Sequence, residues 1–549
     1  MPSGRSLRDA LKKGGWPALL FCAAACLVSL HLGQDDNYDL KNYHVYGPWA
    51  LLTGRWSQDL FAAGPWTYFS PYLDLPYYLL ARALFPSHGA YLVALAGLPY
   101  GVLLFVVFLI AQRIAGALEL GRWDRIAFIA ASVLLAGTGA ATWSEIGTTL
   151  NDIPVAAMVL AAFYQIVVGV THGDEAGPSA RRVAVAGMLL GLAVGLKLTA
   201  AIYAPAMAVV IFSVARGGRS KARSLVIYGC WVCVGFVAVY GPWAWKLYDL
   251  TGNPFFPFFN GIFHSDWMTS GNFRDERLLP KSWLQWLFYP FYWVPLQSSV
   301  TQMPFRDARL AVACVFLVGY GALLLAGQDA RARLFSGRYR CVNAVVLFLV
   351  VSYVVWMYEF SILRYLVAAE CMAGMFIVIG VMAVARKLGR RIAWLPALCV
   401  MPIAAFIAGY GVSPQWGRAP VGTDIFAVQA PAFEPGALLI FADNPMSILA
   451  PGLAAANPGV QFMTVPRRFS VLVPLAPDGF RHELGRRMKA KIAANARSLY
   501  VLFHKSRMPP KSDLAAFDIR MDMASCQPGR SSLGLEFVAC RGVYPASSR

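Results

Sequence analysis

The chain has 549 residues, of which 58% are hydrophobic and 14% are charged, and its formal net charge is +19. Soluble domains carry about 25% charged residues, so this composition excludes an ordinary soluble protein and indicates one that lies in a membrane. The basic residues form short clusters between apolar runs and not one continuous stripe, which argues against a nucleic-acid partner.

The first apolar segment, Trp16–Leu32, resembles a signal peptide but lacks a cleavage site. Gln34, Asp35 and Asp36 follow it where a signal peptide would have small residues. We therefore expect an uncleaved first helix. Basic residues before this helix predict a cytoplasmic N-terminus. These residues are Arg5, Arg8, Lys12 and Lys13.

Later apolar runs are long enough to cross a bilayer, which takes roughly 18 residues or more. The run from Val183 to Ala215 is too long for one span, so we divide it near Lys197 and place that lysine at the outer surface. Other runs that predict spans are Ala90–Ala111, Leu225–Trp245, Leu310–Gly327, Val342–Met357 and Leu366–Ala385.

Basic clusters follow alternate spans, and with about eleven spans every cluster falls on one side, as the positive-inside rule requires. A single span over Val183–Ala215 would move every later cluster to the other side. The sequence thus predicts a multi-pass inner (plasma) membrane protein with the clusters in the cytoplasm. The clusters are Arg113, Arg122 and Arg125; Arg181 and Arg182; Arg216, Arg219, Lys221 and Arg223; Arg331, Arg333, Arg338 and Arg340; and Arg386, Lys387, Arg390 and Arg391.

Two large outer segments, residues 33–88 and 246–309, are rich in aromatic residues and proline. We expect most of these rings to lie at the membrane interface, where amphipathic rings settle, and a minority to stack on sugar faces. With these segments, residues 1–412 form a mainly α, polytopic helical bundle.

The tail, residues 413–549, alternates strand-like and helix-like pieces, which predicts a small periplasmic α/β domain. Cys526 and Cys540 are the cysteines of this tail, and in an oxidising compartment we expect a disulfide between them. The strand-like pieces are Ala437–Phe441, Val460–Thr464, Ser498–Phe503 and Glu536–Cys540, and the helix-like piece is Phe480–Asn495.

Three carboxylates stand directly after the first helix, at Asp35, Asp36 and Asp39. Carboxylates beside the apolar interior of a membrane are energetically costly unless they are hydrated, ion-paired or functional. One interpretation is a solvated helix cap, since Asp and Asn cap helices well. The other is a general base that takes a proton from an acceptor hydroxyl.

A first helix, then an acidic opening of a long outer loop with aromatic interfacial segments, resembles the GT-C class of membrane glycosyltransferases. The resemblance covers residues 1 to about 412 by topology. It implies transfer of a sugar from a polyprenyl-phosphate donor to a glycan or lipid acceptor, with an early Asp of the first outer loop as base. We favour Asp36, with Asp39 as runner-up. A single base implies inversion at the sugar carbon, and retention stays open.

Other residues are expected to bind substrate. Asp152 and Glu145 lie in a short outer loop where the GT-C class often has another acid, although Asp152 also suits a helix cap beside Pro154. Lys197 and Arg364 are cations that suit a leaving phosphate or that extend to the interface without function. His44 and His264 are further candidates. We expect no metal and no cofactor.

Three other functions remain open. A lipid-linked glycan transporter or flippase would account for the many spans but not for the acidic opening of the first outer loop. An O-antigen ligase or polymerase would place its large outer loop late in the chain. A non-catalytic scaffold would present only the tail.

Overall fold

The computed structural model describes residues 15–171, 177–272, 274–325, 337–389, 394–465, 482–507 and 511–545. Some residues discussed above lie outside the described residues. They are Arg5, Arg8, Lys12, Lys13, Gly327, Arg331, Arg333, Arg390, Arg391 and Phe480.

The described helices are, in chain order, α1 (Trp16–Leu32), α2 (Tyr46–Leu52), α3 (Leu75–Leu84), α4 (Gly89–Ala96), α5 (Leu98–Ala117), α6 (Arg122–Gly137), α7 (Ala140–Ser144), α8 (Asp152–Thr171), α9 (Ala180–Leu196), α10 (Tyr203–Val214), α11 (Gly218–Thr251), α12 (Asn260–Phe263), α13 (Trp283–Phe288), α14 (Arg309–Leu325), α15 (Arg340–Glu359), α16 (Val367–Leu388), α17 (Leu395–Tyr410), α18 (Leu449–Ala456), α19 (Glu483–Ala494) and α20 (Lys511–Ala515).

Within these ranges, 5 helical segments are long and apolar enough to cross a membrane: Gly89–Ala117, Asp152–Thr171, Gly218–Thr251, Arg340–Glu359 and Leu363–Leu388. Shorter apolar helices accompany them: Trp16–Leu32, Leu198–Val214, Arg309–Leu325 and Leu395–Tyr410. With α6 and α9 they occupy the positions of the expected spans. The chain is a multi-pass membrane protein, and the prediction of a mainly helical polytopic bundle is confirmed.

The long apolar run breaks at Lys197, as the sequence predicted. Lys197 has extended backbone angles, φ −147° and ψ 108°, and a short 3₁₀ turn, Leu198–Ile202, leads into α10. A lysine ammonium is costly inside an apolar helix bundle, so the chain turns where this side chain reaches polar partners.

The two ends of the bundle differ in their ionic groups. At one end, Arg386 at the end of α16 lies 2.8 Å from Asp124 near the start of α6, and Arg340 donates to the Val214 carbonyl at the end of α10. At the other end, the start of α8 meets the residue that follows α9, through Asp152 and Lys197. The described basic clusters therefore share one end, and the candidate site lies at the opposite end.

The described strands are β1 (Gln34–Asp35), β2 (Ala62–Pro65), β3 (Arg418–Ala419), β4 (Val428–Gln429), β5 (Leu438–Phe441), β6 (Gln461–Thr464), β7 (Leu499–His504), β8 (Arg520–Ser531) and β9 (Glu536–Val543). Six of them form the tail's sheet, in the order β4-β8-β9-β7-β5-β6. β5 is parallel to both β6 and β7, whereas β9 is antiparallel to β7 and β8.

The predicted strands of the tail correspond to β5, β6, β7 and β9, and the predicted helix corresponds to α19. The expected disulfide between Cys526 and Cys540 is present. β8 was missed because its sequence contains Pro528 and Gly529 and lacks a regular alternation of apolar and polar residues.

The tail packs directly on the first outer segment. Leu60 pairs in parallel with Met463 of β6, and β1 pairs with β3 at the start of the tail. Residues of both parts also share one hydrophobic core, in which Trp49 and Tyr78 lie with Phe441. The first outer loop and the tail are thus held as one structural unit.

The second outer segment begins later than the sequence indicated, because α11 continues through Lys246 to Thr251. Its aromatic rings divide into two groups. Phe256 and Trp267 are buried in a core, whereas Trp283 and Phe288 in α13 are 72% and 44% exposed. The exposed group suits a membrane interface.

Candidate active site

Lys197 and Arg364 meet Asp152 at the end of the bundle. Lys197 Nζ lies 2.5 Å from Asp152 Oδ1, and Arg364 Nε lies 3.8 Å from Asp152 Oδ2. Asp152 begins α8, Lys197 follows α9, and Arg364 precedes α16. The Asp152 side chain is only 5% exposed, so the two cations offset the cost of burying its charge.

The acidic opening of the first loop contributes one carboxylate to this group. Asp39 Oδ2 lies 3.2 Å from Arg364 Nη1. Asp36, which the sequence favoured, instead pairs with Lys41 at 2.8 Å. The structure therefore joins Asp39, Arg364, Asp152 and Lys197 in one ionic chain, which we call the acid–base cluster.

Asp35 has a different environment. Its carboxylate is buried and accepts hydrogen bonds from the backbone N–H and the hydroxyl of Thr149, each at 2.8 Å. Burial raises the pKa of Asp35, and these hydrogen bonds and the charge of Arg418 oppose the rise. Asp35 thus links the first outer segment to the short outer loop that carries Thr149.

The cap interpretation applies to Asn37 and not to the aspartates. The Asn37 side chain accepts the backbone N–H of Leu40 at 2.7 Å, at the start of the π-helical turn Leu40–His44. Asp39 directly precedes this turn but its side chain makes no capping hydrogen bond. Its carboxylate is therefore available to Arg364.

Glu145 lies beside the acid–base cluster. Its Oε2 accepts the backbone N–H of Asp152 at 3.2 Å, and its Oε1 is buried without a hydrogen-bond partner among the described residues. Burial and the neighbouring Asp152 carboxylate raise the pKa of Glu145 well above its usual value, against the charges of Lys197 and Arg364. Glu145 therefore holds a proton more readily than an ordinary glutamate.

The short helix α7, which precedes Glu145, is held by buried carboxylates that the sequence did not single out. Glu370 accepts the backbone N–H groups of Ala141 and Thr142 at 3.1 and 3.0 Å, and Asp307 accepts that of Ala140 at 3.0 Å. Arg309 lies 2.6 Å from Asp307. Glu370 is a lone acid in an apolar run, and that was the available signal.

His44 joins the site through another carboxylate that the sequence did not select. Asp74 Oδ1 lies 2.6 Å from His44 Nδ1 and accepts the Asn151 amide at 2.6 Å. Burial raises the pKa of Asp74, and the hydrogen bonds from His44 and Asn151 and the charge of Lys197 oppose the rise. Asn151 has a left-handed backbone, φ 66°, and directly precedes Asp152. Asp74 thus anchors the turn that carries Asp152.

His264 does not join these residues. Its ring is exposed in the second outer segment, 3.3 Å from the Ser270 hydroxyl. Of the sequence-predicted residues, Asp39, Asp152, Lys197, Arg364, Glu145 and His44 come together, whereas Asp35 and Asp36 lie nearby with other partners.

The start of the tail closes over the same loops. Arg418 donates to the carbonyls of Ile146 at 2.7 Å and Gly33 at 3.2 Å. The Trp416 indole donates to the Ser144 hydroxyl at 3.2 Å. Both acid-bearing loops are therefore tied to the tail.

The two cations of the acid–base cluster each have a hydrogen-bond donor that is not engaged among the described residues. A lysine ammonium has three donors, and Lys197 directs two of them to Asp152 and to the Leu150 carbonyl, at 2.5 and 2.7 Å. Arg364 Nε is buried without a hydrogen-bond partner in the described part of the chain. A pocket beside these groups is lined by Asp152, Thr199, Tyr203, Arg364 and Tyr365. Together they suit an anionic ligand such as a phosphate.

No protein-family model and no curated protein sequence matches this chain. Solved structures do resemble it. ArnT from Cupriavidus metallidurans in the apo state aligns with a TM-score of 0.50 and 15% identity, over 96% of this chain and 98% of that chain. Arabinofuranosyltransferase AftD from Mycobacteria aligns with a TM-score of 0.50 and 14% identity, over 96% of this chain and 40% of that chain.

A second structure of the same ArnT, bound to undecaprenyl phosphate, aligns with a TM-score of 0.49 and 16% identity, over 96% of this chain and 98% of that chain. ArnT and AftD are GT-C glycosyltransferases. At these identities the likeness shows the fold alone. The chain has the GT-C fold, as the resemblance in its sequence implied.

Proposed function

We propose that this chain is a GT-C glycosyltransferase that moves a sugar from a polyprenyl-phosphate donor to a glycan or lipid acceptor. The observation that carries the proposal is the acid–base cluster. It brings the carboxylate of Asp39 within 3.2 Å of Arg364, whose guanidinium suits a leaving phosphate. Glycosyl transfer needs a base for the acceptor and a cation for the leaving phosphate at the same site.

The chemistry follows from these positions. The bond between the sugar carbon and the donor phosphate breaks, and its electron pair leaves with the phosphate, which Lys197 and Arg364 stabilise. A new bond forms from the acceptor oxygen to the same carbon. The hydroxyl proton passes to a carboxylate, and one base with direct displacement inverts the sugar carbon.

We assign the base to Asp39 and not to Asp36, the residue that the sequence favoured. The base must reach the acceptor while the phosphate leaves nearby, and Asp39 contacts the phosphate-binding Arg364. Asp36 pairs instead with Lys41, which is not part of the acid–base cluster. Glu145 and Asp152 complete the site by holding Lys197 and the turn around it.

The proposed orientation follows from charge. If the end with Arg340 and Arg386 faces the cytoplasm, as basic clusters do, the acid–base cluster and the tail face the periplasm of an inner membrane. Membrane lipids then surround the helices. The tail lies on the same side as the acid–base cluster, where its proposed role is to bind the acceptor or to cover the site. A chain without residues 413–549 that folds and keeps full activity would refute that role for the tail.

The test is sugar transfer by the purified protein in nanodiscs. A panel of polyprenyl-phosphate sugars is supplied as donors, with membrane-lipid extract as acceptor. We expect one donor to yield glycosylated product together with free polyprenyl phosphate, and the product to have the inverted anomeric configuration. If no donor gives either transfer or hydrolysis, the proposal is contradicted and a flippase or ligase is favoured. Lipid-flipping assays are then the next measurement.

A further inference from the structure

The tail's sheet contains a topological switch point between β5 and β7. These two strands are adjacent and parallel, yet the chain leaves them in opposite directions. From β5 it passes through α18 to β6, on the far side from β7, whereas from β7 it continues towards β8 and β9. In open α/β sheets, ligands bind outside the carboxyl ends of the strands at such a point.

Polar groups occupy this carboxyl edge. Asp443 follows β5, is buried, and accepts the His504 backbone N–H at 3.4 Å. Arg507, which follows β7, lies 3.3 Å from Asp443, and its side chain is 50% exposed. The Oδ1 atom of Asn444 is buried and has no hydrogen-bond partner in the described ranges. The Arg507 guanidinium, which contacts Asp443, and the Asn444 amide, which follows Asp443 in the chain, therefore both lie next to Asp443.

The same edge packs against the first outer segment, which carries Asp39. The loop after β5 contacts the first outer segment, where the Ile448 N–H donates to the Lys41 carbonyl at 2.9 Å and Ser447 donates to the Ala62 carbonyl at 2.8 Å. Lys41 is the ion-pair partner of Asp36. Nearby, Tyr38 adjoins Asp39 and is 44% exposed, with its ring edge-on to Trp66.

We infer that the carboxyl edge of β5 and β7 binds the acceptor as a polyhydroxylated glycan, with Asn444 and Arg507 as its hydrogen-bonding residues. This inference rests on the proposed function and assigns the acceptor a subsite. Sugar hydroxyls both donate and accept, and an amide beside a guanidinium meets both needs. Tyr38, which adjoins Asp39 in the chain and is 44% exposed, offers a ring face for a sugar. The nonreducing end of the glycan then reaches the base while the rest lies along the sheet.

The experiment separates acceptor binding from donor chemistry. Asn444→Ala and Arg507→Met are compared with wild type in nanodiscs, with transfer measured against increasing membrane-lipid extract and donor hydrolysis measured without extract. Arg530→Met is the matched control, because Arg530 is an exposed arginine in β8, paired with Gln429.

We expect each edge variant to need about tenfold more extract for half-maximal transfer, which is the effect of losing one or two such hydrogen bonds. Donor hydrolysis by these variants should equal that of wild type. The Arg530→Met variant should need the same amount of extract as wild type. An unchanged half-saturation would overturn the inference while the proposed function stands. An equal fall in hydrolysis and transfer would also overturn it, because it would indicate a general structural effect. Absence of any transfer or hydrolysis by wild type would remove both proposals.

Discussion

At the scale of single residues, the site is defined by how buried charges are paired. Asp152 is stabilised by two cations, whereas Glu145 has a carboxylate neighbour and no ion-pair partner among the described residues. The sequence could nominate Asp152, Lys197 and Arg364 as lone charged residues near span ends. It could not rank Asp39 above Asp36, because the preference depends on Arg364, which is distant in the chain and close only in the fold.

The pH dependence of stability in a Glu145→Gln variant tests the environment assigned to Glu145. Because the pKa of Glu145 is raised in the folded state, its neutral form favours folding at low pH, and that contribution is lost as pH rises from about 4.3, the value of a free glutamate, through the raised value. We expect the variant's thermal midpoint to gain on wild type over this window and to match it at lower pH. A constant difference at every pH would contradict this assignment.

At the scale of elements, α9 and α11 pack through glycine. A methyl group on Gly191 would lie 2.2 Å from the Val232 carbonyl oxygen, whereas one on Gly229, on the other helix, meets nothing within 4 Å. We expect Gly191→Ala to destabilise the protein by about 1–3 kcal/mol, the cost of overpacking. Gly229→Ala serves as the control and should leave stability equal or slightly higher. Thermal unfolding in nanodiscs measures both, and equal midpoints would argue against close packing here.

Hydropathy predicted the elements better than their assembly. Apolar runs and basic clusters predicted the spans, including the break at Lys197, because both signals are local in sequence. The extension of α11 to Thr251 was missed, since Lys246 looked like the end of a span; its ammonium instead lies over the ring of Trp56, at 4.5 Å. Such a contact with a distant aromatic residue has no sequence signature.

At the scale of the whole molecule, the first outer loop and the tail are expected to unfold together. Arg55 joins them: it lies 2.7 Å from Asp59 and donates to the Val460 carbonyl at 2.5 Å. Arg55→Met would leave the buried Asp59 carboxylate without its cation, at a cost of about 3 kcal/mol. We expect limited proteolysis to cut the loop and the tail at the same rate in this variant. Cleavage of the tail alone would mean that the two parts are independent.

In the proposed reaction, Asp39 removes the acceptor proton beside the cations that hold the leaving phosphate. The most direct measurement is the rate of sugar transfer at saturating donor and acceptor, for wild type, Asp39→Asn and Asp36→Asn in nanodiscs. We expect Asp39→Asn to lower this rate by about 100-fold or more, the contribution of a general base, with polyprenyl-phosphate binding retained, and Asp36→Asn to have the smaller effect. A wild-type rate for Asp39→Asn in a folded protein would show that Asp39 is not the base.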